Sequence, residues 1–277
     1  KIDGKVSEGI QSLVYPYWHS SGNYVAFSTN KTNQMFHMKD KNRIEVFDAA
    51  SEVLVYDVKN HRVLTDSLLF SKDAFETFPS FSPDGKTLYF SSAKAQQMPK
   101  DYRKVKYSLC SISFDAELGR FGKQVDTLFS AEKEGKTAIL PRVSPDGRFL
   151  AFTQADYGNF AIWHKEADLY LLDLKDGQVK AIPEVNSVEA ESYHAWSSNG
   201  RWLVFASRRD DGLYSRPYIA YIDENGKGHK PFVVPQHTPD FYLHSMKSYN
   251  VPEFIKEPVE LDRRMIIETA KEGQALK

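Results

Sequence analysis

Short runs of alternating apolar and polar residues fill the first 234 residues of the chain, and turn-forming residues separate the runs. Alternation over about four to eight residues is typical of β-strands, because successive side chains point to opposite faces. No long helix is indicated before residue 240. The pattern therefore predicts an all-β protein.

Four copies of one motif organise these runs. The clearest copies are FPSFSPDGKTLYFSS at 78–92 and LPRVSPDGRFLAFTQ at 140–154, and weaker copies lie at 15–29 and 193–207. Ser-Pro-Asp-Gly between two strands favours a tight turn, because proline presets φ, Asp accepts from nearby backbone and glycine tolerates positive φ. We therefore expect a hairpin with a left-handed glycine in every copy, at Gly22, Gly85, Gly147 and Gly200.

A second alternating hairpin follows each copy, so that one repeat holds four antiparallel strands. The strand after each turn ends in phenylalanine and is largely apolar on both faces, which is typical of sheets stacked face to face. Such sheets repeated along a chain predict a β-propeller with four-stranded antiparallel blades. A β-sandwich is the less favoured alternative. The sequence also allows these four repeats to be part of a larger ring with more blades. The repeats lie near residues 12–64, 75–128, 137–182 and 190–234.

The pattern changes after the fourth repeat. Residues 235–256 carry three prolines among aromatic residues, which indicates an extended strap packed on the propeller. After Glu257, the apolar residues Leu261, Met265 and Ile266 predict a short helix. The expected division is therefore a propeller over 1–234 and a C-terminal strap and tail over 235–277.

Charge and composition exclude several partners. The 277 residues contain 36 basic and 37 acidic side chains, so no strong field attracts nucleic acid. No apolar run is long enough for a transmembrane segment. Cys110 is the only cysteine, so no internal disulfide can form. The chain begins with Lys1, and we expect it to be a piece of a longer protein.

The repeat resembles a known family. F-S-P-D-G-K-x-L-x-F at 81–90 and L-Y-L-L-D-L-K-D-G at 169–177 resemble the TolB-like, WD-like β-propeller repeat of bacterial envelope proteins. Longer segments are similar to a Bacteroidetes family of such propellers, at residues 42–57, 156–174, 207–227 and 247–255. The resemblance implies an exported protein, in the periplasm or associated with the outer membrane, that binds other proteins. It supplies no catalytic residues.

Motifs for catalysis are missing from the sequence. G-x-S-x-G, H-E-x-x-H and C-x-x-C do not occur, and no two of the eight histidines have a close metal-ligand spacing. We therefore expect no catalytic residues, no metal site and no cofactor in this chain.

Candidate binding residues lie mainly in the connections between the second and third strand of each repeat. These connections span about 30–50, 93–106, 155–166 and 208–215, and equivalent connections in a propeller lie on one end of the ring. Aromatic residues beside arginine are typical of binding hot spots. Alternatively, the Arg and Asp residues pair with each other across blades as structural ties. The candidates, including one histidine on a first strand, are Asp156, Tyr157, Asn159, Trp163, His164, His194, Arg208, Arg209, Asp210, Asp211, Tyr214 and Arg216.

These observations lead to two hypotheses of different classes. The leading one is a non-catalytic exported propeller, a protein-binding or scaffold module that docks another envelope protein through its loops. The alternative is a carbohydrate-binding or carbohydrate-active propeller of lyase or glycosidase type, with an oligosaccharide as ligand.

Overall fold

The computed structural model describes residues 12–37, 44–258 and 260–271. Within them, sixteen strands form four sheets of four antiparallel strands, and each sheet keeps its strands in chain order. The sheets are the blades of a β-propeller, so the predicted all-β propeller fold is confirmed.

The blades occupy successive parts of the chain. Blade 1 contains β1 (Ser12–Trp18), β2 (Tyr24–Phe36), β3 (Ile44–Asp57) and β4 (Arg62–Leu64). Blade 2 contains β5 (Ala74–Phe81), β6 (Thr87–Lys94), β7 (Ser108–Asp115) and β8 (Arg120–Phe129). Blade 3 contains β9 (Thr137–Val143), β10 (Phe149–Ala155), β11 (Asp168–Asp173) and β12 (Val179–Ala181). Blade 4 contains β13 (Glu191–Trp196), β14 (Trp202–Ser207), β15 (Arg216–Tyr221) and β16 (Phe232–Val233).

Helical segments are short. Among the described residues, two 3-10 helices lie at Tyr102–Lys104 and Ala161–Trp163, and the α-helices are α1 (Ala131–Glu134), α2 (Phe241–His244) and α3 (Arg263–Lys271). Helix α3 is the short helix that the sequence predicts after Glu257. No helix in the described ranges is long and apolar enough to cross a membrane. The division of the chain near residue 234 stays a prediction.

Apolar layers between blades form most of the core. Strand β5 packs on β1, β2 and β3, β9 packs on β5, β6 and β7, and β13 packs on β9, β10 and β11. The phenylalanines that end the repeat motifs fill these layers: Phe90 lies between blades 1 and 2, Phe152 between 2 and 3, and Phe205 between 3 and 4, all nearly inaccessible to water. Burial of each such side chain contributes about 1.5–3 kcal/mol.

The repeated turns have the predicted conformation. Gly22, Gly85, Gly147 and Gly200 have φ values of 70°, 74°, 76° and 66°. In blade 2, Ser82 Oγ donates to Asp84 Oδ1 at 2.6 Å and accepts from the Thr87 N–H at 3.0 Å. Ser144 with Asp146 and Ser197 with Asn199 repeat this network in blades 3 and 4. We call the end of the ring formed by these four turns the turn end.

Each first strand also contains a β-bulge that the sequence does not reveal. The bulged residues have positive φ although none is glycine: Tyr15 (55°), Phe78 (54°), Leu140 (58°) and Tyr193 (52°). A left-handed residue with a Cβ costs about 1–2 kcal/mol, so surrounding contacts must hold it. The four side chains meet in one apolar cluster at the centre of the ring, and packing there offsets the cost.

One predicted loop is a hairpin. Residues 30–50 were expected to form a connection, but β2 runs on to Phe36 and β3 begins at Ile44, with Thr32 opposite Asp48 and Phe36 opposite Ile44. The segment is polar and lacks the apolar alternation of a blade strand, which hid it from sequence reasoning. Cross-strand pairing satisfies its backbone, and contacts with blade 3 bury one of its faces.

Candidate functional site

The connections between second and third strands meet at the other end of the ring, which we call the loop end. It contains the tip of the β2–β3 hairpin (residues 32–37 and 44–48) and residues 95–107, 156–167 and 208–215. Tyr157 of blade 3 donates to Glu45 Oε1 of blade 1 at 2.9 Å, and Arg103 of blade 2 lies 4.0 Å from the same carboxylate. The prediction that these segments share one end is therefore confirmed.

Asp48 fixes the hairpin to blade 3. Its carboxylate is 2% exposed and accepts from Asn30 Nδ2 at 2.6 Å, from Thr32 Oγ1 at 2.6 Å and from Asn159 Nδ2. Burial raises the pKa of Asp48, and these three hydrogen bonds oppose that rise. The candidate residue Asn159 thus holds two blades together.

Tyr157 and His164 belong to the same interior contact. Their ring centroids lie 4.5 Å apart, and His164 Nε2 is 3.8 Å from Glu45 Oε2. His164 Nδ1 also lies 3.6 Å from Glu166, and the imidazole is almost fully buried. Asp156 is instead at the surface, where it accepts from Lys136 Nζ at 2.5 Å.

Four charged candidates of blade 4 are structural ties. Arg216 donates to Asp210 at 2.6 Å and to Asp211 at 2.9 Å, and Arg209 donates to the buried Glu191 at 3.1 Å. All of these pairs lie within blade 4 rather than across blades. The alternative interpretation as ties across blades is therefore wrong in its geometry: Arg216 pairs with Asp210 and Asp211 inside one blade, and Arg209 pairs with a glutamate.

Tyr214 and His194 lie in different surroundings. The Tyr214 backbone N–H donates to Asp211 Oδ1 at 2.9 Å, which shapes the blade 4 connection. His194 is 2% exposed, and burial lowers the pKa of its imidazole to about 3, so the ring is neutral. It directly follows the bulged Tyr193, at the position where the other first strands carry Pro16, Pro79 and Pro141.

The candidates Trp163 and Arg208 line a cavity of about 390 Å³ at the loop end. Blade 1, the blade 3 and blade 4 connections, β13 and the C-terminal strap all contribute to its wall. Its other lining residues are Thr32, Gln34, Val46, Phe160, Ile162, Tyr193, Leu213, Ser215, Ser248, Tyr249 and Asn250.

The strap closes one side of this cavity. The Tyr249 N–H donates to Ser215 O at 2.8 Å, and Ser215 Oγ donates to Tyr249 O at 2.5 Å. Sequence reasoning missed the strap residues Ser248, Tyr249 and Asn250 as part of a site, because nothing local shows where an extended segment docks. The only indication in the sequence was that these residues belong to segment 247–255, which resembles the Bacteroidetes propeller family.

Trp163 and Arg208 contact each other directly. The guanidinium carbon lies 4.8 Å from the centroid of the indole ring, which is a cation–π geometry. Arg208 Nη1 donates to Ile162 O at 3.3 Å and Nη2 to Leu213 O at 2.7 Å, so both connections are bridged. The cavity can therefore offer an aromatic wall, a cation and several polar side chains to a small ligand.

Histidine, cysteine and acidic side chains in the described part of the chain form no group of three or more that could hold a metal ion.

Comparison with known proteins gives one curated relative. Dipeptidyl-peptidase 5 of Porphyromonas gingivalis is 21% identical over 210 residues, which covers 67% of this chain and 29% of the relative. The chain thus spans less than a third of the length of the curated relative it matches. No protein-family model matches the chain.

Solved structures support the fold. A puromycin hydrolase matches with a TM-score of 0.52 at 14% identity, over 84% of this chain and 32% of that one. TolB from Agrobacterium tumefaciens matches with a TM-score of 0.47 at 14% identity, over 80% of each chain. The expected β-propeller fold is confirmed by the four four-stranded sheets, and the match to the puromycin hydrolase agrees with it.

The expected function is wrong. A non-catalytic protein-binding or scaffold module was predicted because the 277 residues lack nucleophile and metal motifs. The curated relative is a peptidase, and similar structures include a hydrolase. Missing motifs describe only this segment, which matches less than a third of each of those proteins, so they do not make the function non-catalytic.

Proposed function

We propose that this chain is the β-propeller part of a peptidase-type hydrolase and that its loop end binds the peptide. The match to a dipeptidyl peptidase over 210 residues supports the reaction class. The chain contains no G-x-S-x-G nucleophile elbow, so its role in this proposal is recognition of the substrate rather than cleavage. The resemblance to envelope propellers extends the proposal to a periplasmic or outer-membrane-associated enzyme.

The loop-end cavity is the observation that carries this proposal. Its volume of about 390 Å³ falls in the range of about 300–1,000 Å³ that is common for small-ligand pockets. Trp163, Tyr193 and Tyr249 give it aromatic surface, and Ser215 and Asn250 add polar groups that suit a peptide backbone.

The walls of the cavity are held in place before any ligand binds. Asp48 ties the blade 1 hairpin to the blade 3 connection, and Ser215 ties the strap to blade 4. Preorganised walls lower the entropic cost of binding, because fewer groups must be ordered by the ligand. A rigid pocket built from three blades and the strap favours one small, defined ligand over a broad protein surface.

Isothermal titration of the 277-residue chain with di- to tetrapeptides that have free amino termini tests the proposal. We expect binding, and we expect Trp163→Ala to weaken it at least about tenfold because it removes the aromatic wall. Trp202→Ala is the matched control, since Trp202 lies beside the blade 4 turn and contacts Tyr221.

Two results would contradict the proposal. One is the absence of any titratable heat from the whole peptide set. The other is an equal loss of peptide affinity in Trp163→Ala and Trp202→Ala, because the peptide would then not depend specifically on the loop end.

A further inference from the structure

Arg208 is a buried cation, and none of the described carboxylates lies within ion-pair distance of its guanidinium. The residue is 9% exposed. Its two hydrogen bonds go to neutral carbonyl oxygens, those of Ile162 and Leu213. Nε is buried and has no acceptor. The guanidinium is therefore charged, largely dehydrated and incompletely paired.

The two other buried or half-buried arginines at this connection, Arg209 and Arg216, are paired with carboxylates. Arg209 contacts the carboxylate of Glu191, and Arg216 contacts two carboxylates, Asp210 and Asp211. A buried charge costs several kcal/mol unless it is paired, so pairing is the usual arrangement. Arg208 departs from that arrangement at the one position of the three that lines the cavity.

Acidic side chains near Arg208 are engaged elsewhere. Glu189 pairs with Lys165 at 2.7 Å, and Asp211 pairs with Arg216 at 2.9 Å. Burial lowers the pKa of Arg208, and the more distant charges of Glu189 and Asp211 raise it. Neither carboxylate lies within ion-pair distance of the guanidinium, so a carboxylate entering the cavity would be its first direct counterion.

We propose that Arg208 is the anchor for a carboxylate group of the ligand, held in the loop-end cavity beside Trp163. Arginine N–H groups match the two oxygens of a carboxylate, and such charge-assisted bonds are stronger than neutral ones. Gln34, Ser248 and Asn250 line the same cavity and supply further polar groups. This inference depends on the proposed function in one respect, which is that the ligand is a peptide.

A peptide can supply the carboxylate from two sources, its C-terminus or an Asp or Glu side chain. Four ligands separate the sources and the peptide requirement. They are the dipeptide Gly-Phe as the free acid, Gly-Phe amide, Gly-Glu amide, and 3-phenylpropionate as a carboxylate without a peptide bond.

Calorimetric titration of the full chain with these ligands tests the proposal. We expect Gly-Phe acid to bind at least about tenfold more tightly than its amide, because the amide cannot pair with the guanidinium. The affinity of Gly-Glu amide will equal that of Gly-Phe acid only if the cavity also binds a side-chain carboxylate. Arg208→Met keeps an apolar side chain against Trp163 and should abolish the difference between acid and amide.

Arg201→Met is the matched control, because it removes one positive charge next to the turn glycine Gly200, at the turn end. It should leave the ratio of acid to amide affinity unchanged. Should Arg208→Met lower the melting temperature strongly, Arg208→Lys replaces it, and we expect a reduced but measurable ratio. The ratio of acid to amide affinity in the unmodified chain tests the proposal even if both variants fail to fold.

The outcomes separate this inference from the proposed function. Equal affinity of the unmodified chain for Gly-Phe acid and amide would overturn carboxylate recognition while leaving peptide binding intact. Binding of 3-phenylpropionate, with its loss in Arg208→Met and no binding of any peptide, would support the anchor and contradict the peptide proposal.

Discussion

The two ends of the propeller are built in different ways. At the turn end, Ser82, Ser144 and Ser197 form the same network in three blades, and in blade 1 His19 stands in the position of the serine. At the loop end the connections vary: blade 1 has a long hairpin, blades 2 and 3 have 3-10 helices of different sequence, and blade 4 has a charged loop. Repetition specifies the blade, whereas most of the cavity wall comes from parts that do not repeat, with Tyr193 of the repeated first strand as the exception.

Adjacent arginines at the loop end show the same contrast within a single connection. Arg209 donates to Glu191 at 3.1 Å, to Ser207 Oγ at 2.8 Å and to Val185 O at 2.7 Å. Arg208 has neutral backbone partners and lines the cavity. One arginine therefore stabilises the fold, and the other is available to a ligand.

The largest loss of stability should follow from removing the ion pair between Arg209 and Glu191. Arg209→Met leaves the fully buried Glu191 without its cation and should lower the unfolding free energy by about 3–5 kcal/mol. Arg208→Met removes no ion pair but leaves the carbonyls of Ile162 and Leu213 without their donor, so it should cost about 1–2 kcal/mol. Urea denaturation of both variants measures the difference, and equal losses would contradict the distinction between the two arginines.

The second effect concerns the turn end, where Gly85 and Gly147 have the same conformation but different surroundings. A Cβ on Gly85 would lie 2.1 Å from His19 Nε2, whereas a Cβ on Gly147 meets no atom within 4 Å. His19 Nε2 donates to Gly85 O at 3.0 Å and so joins blades 1 and 2.

Gly85→Ala should therefore cost about 3 kcal/mol, from the left-handed φ and the displaced imidazole together. Gly147→Ala should cost about 1 kcal/mol from φ alone. Thermal unfolding of the two single variants checks this order, and a Gly147→Ala cost as large as that of Gly85→Ala would contradict it.

The smallest effect, taken per pH unit, is a pH dependence from the buried Glu76 and the half-buried Glu52 between blades 1 and 2. Burial raises the pKa of Glu76 to about 8, with a further rise from Glu52, and burial raises the pKa of Glu52 to about 7. The folded protein therefore keeps protons that the unfolded chain loses near the usual glutamate pKa of 4.5. Stability should fall as pH rises through this window, by at most about 1.4 kcal/mol per pH unit from Glu76. The contribution of Glu52 should be smaller, because solvent screens its partly exposed carboxylate.

Glu76→Gln should flatten that dependence and be more stable than the unmodified chain at pH 8, because the amide never ionises. Urea midpoints at about pH 5, 6 and 7 test the slope. Stability that rises over this range in the unmodified chain, with no change of slope in Glu76→Gln, would show that Glu76 ionises normally.

The blade fold could be predicted because its signals are local. The turn glycines, the alternation and the phenylalanine at the end of each motif each act within a few residues. The left-handed Phe78 and Leu140 could not be predicted, because the cluster that holds them draws on all four blades.

The site was predicted only in part. The rule that aromatics and arginine mark binding surfaces selected Trp163 and Arg208, which do meet at the cavity. The same rule also selected Arg209 and Arg216, whose carboxylate partners depend on tertiary contacts. Tyr249 was missed because the docking of the strap has no local signature.

The most direct test is a crystal structure of the chain with the tightest-binding free-acid peptide. We expect the peptide in the loop-end cavity, with its carboxylate within hydrogen-bond distance of Arg208 and a side chain against Trp163. A peptide bound at the turn end, or beside His194 at the centre of the ring, would contradict it.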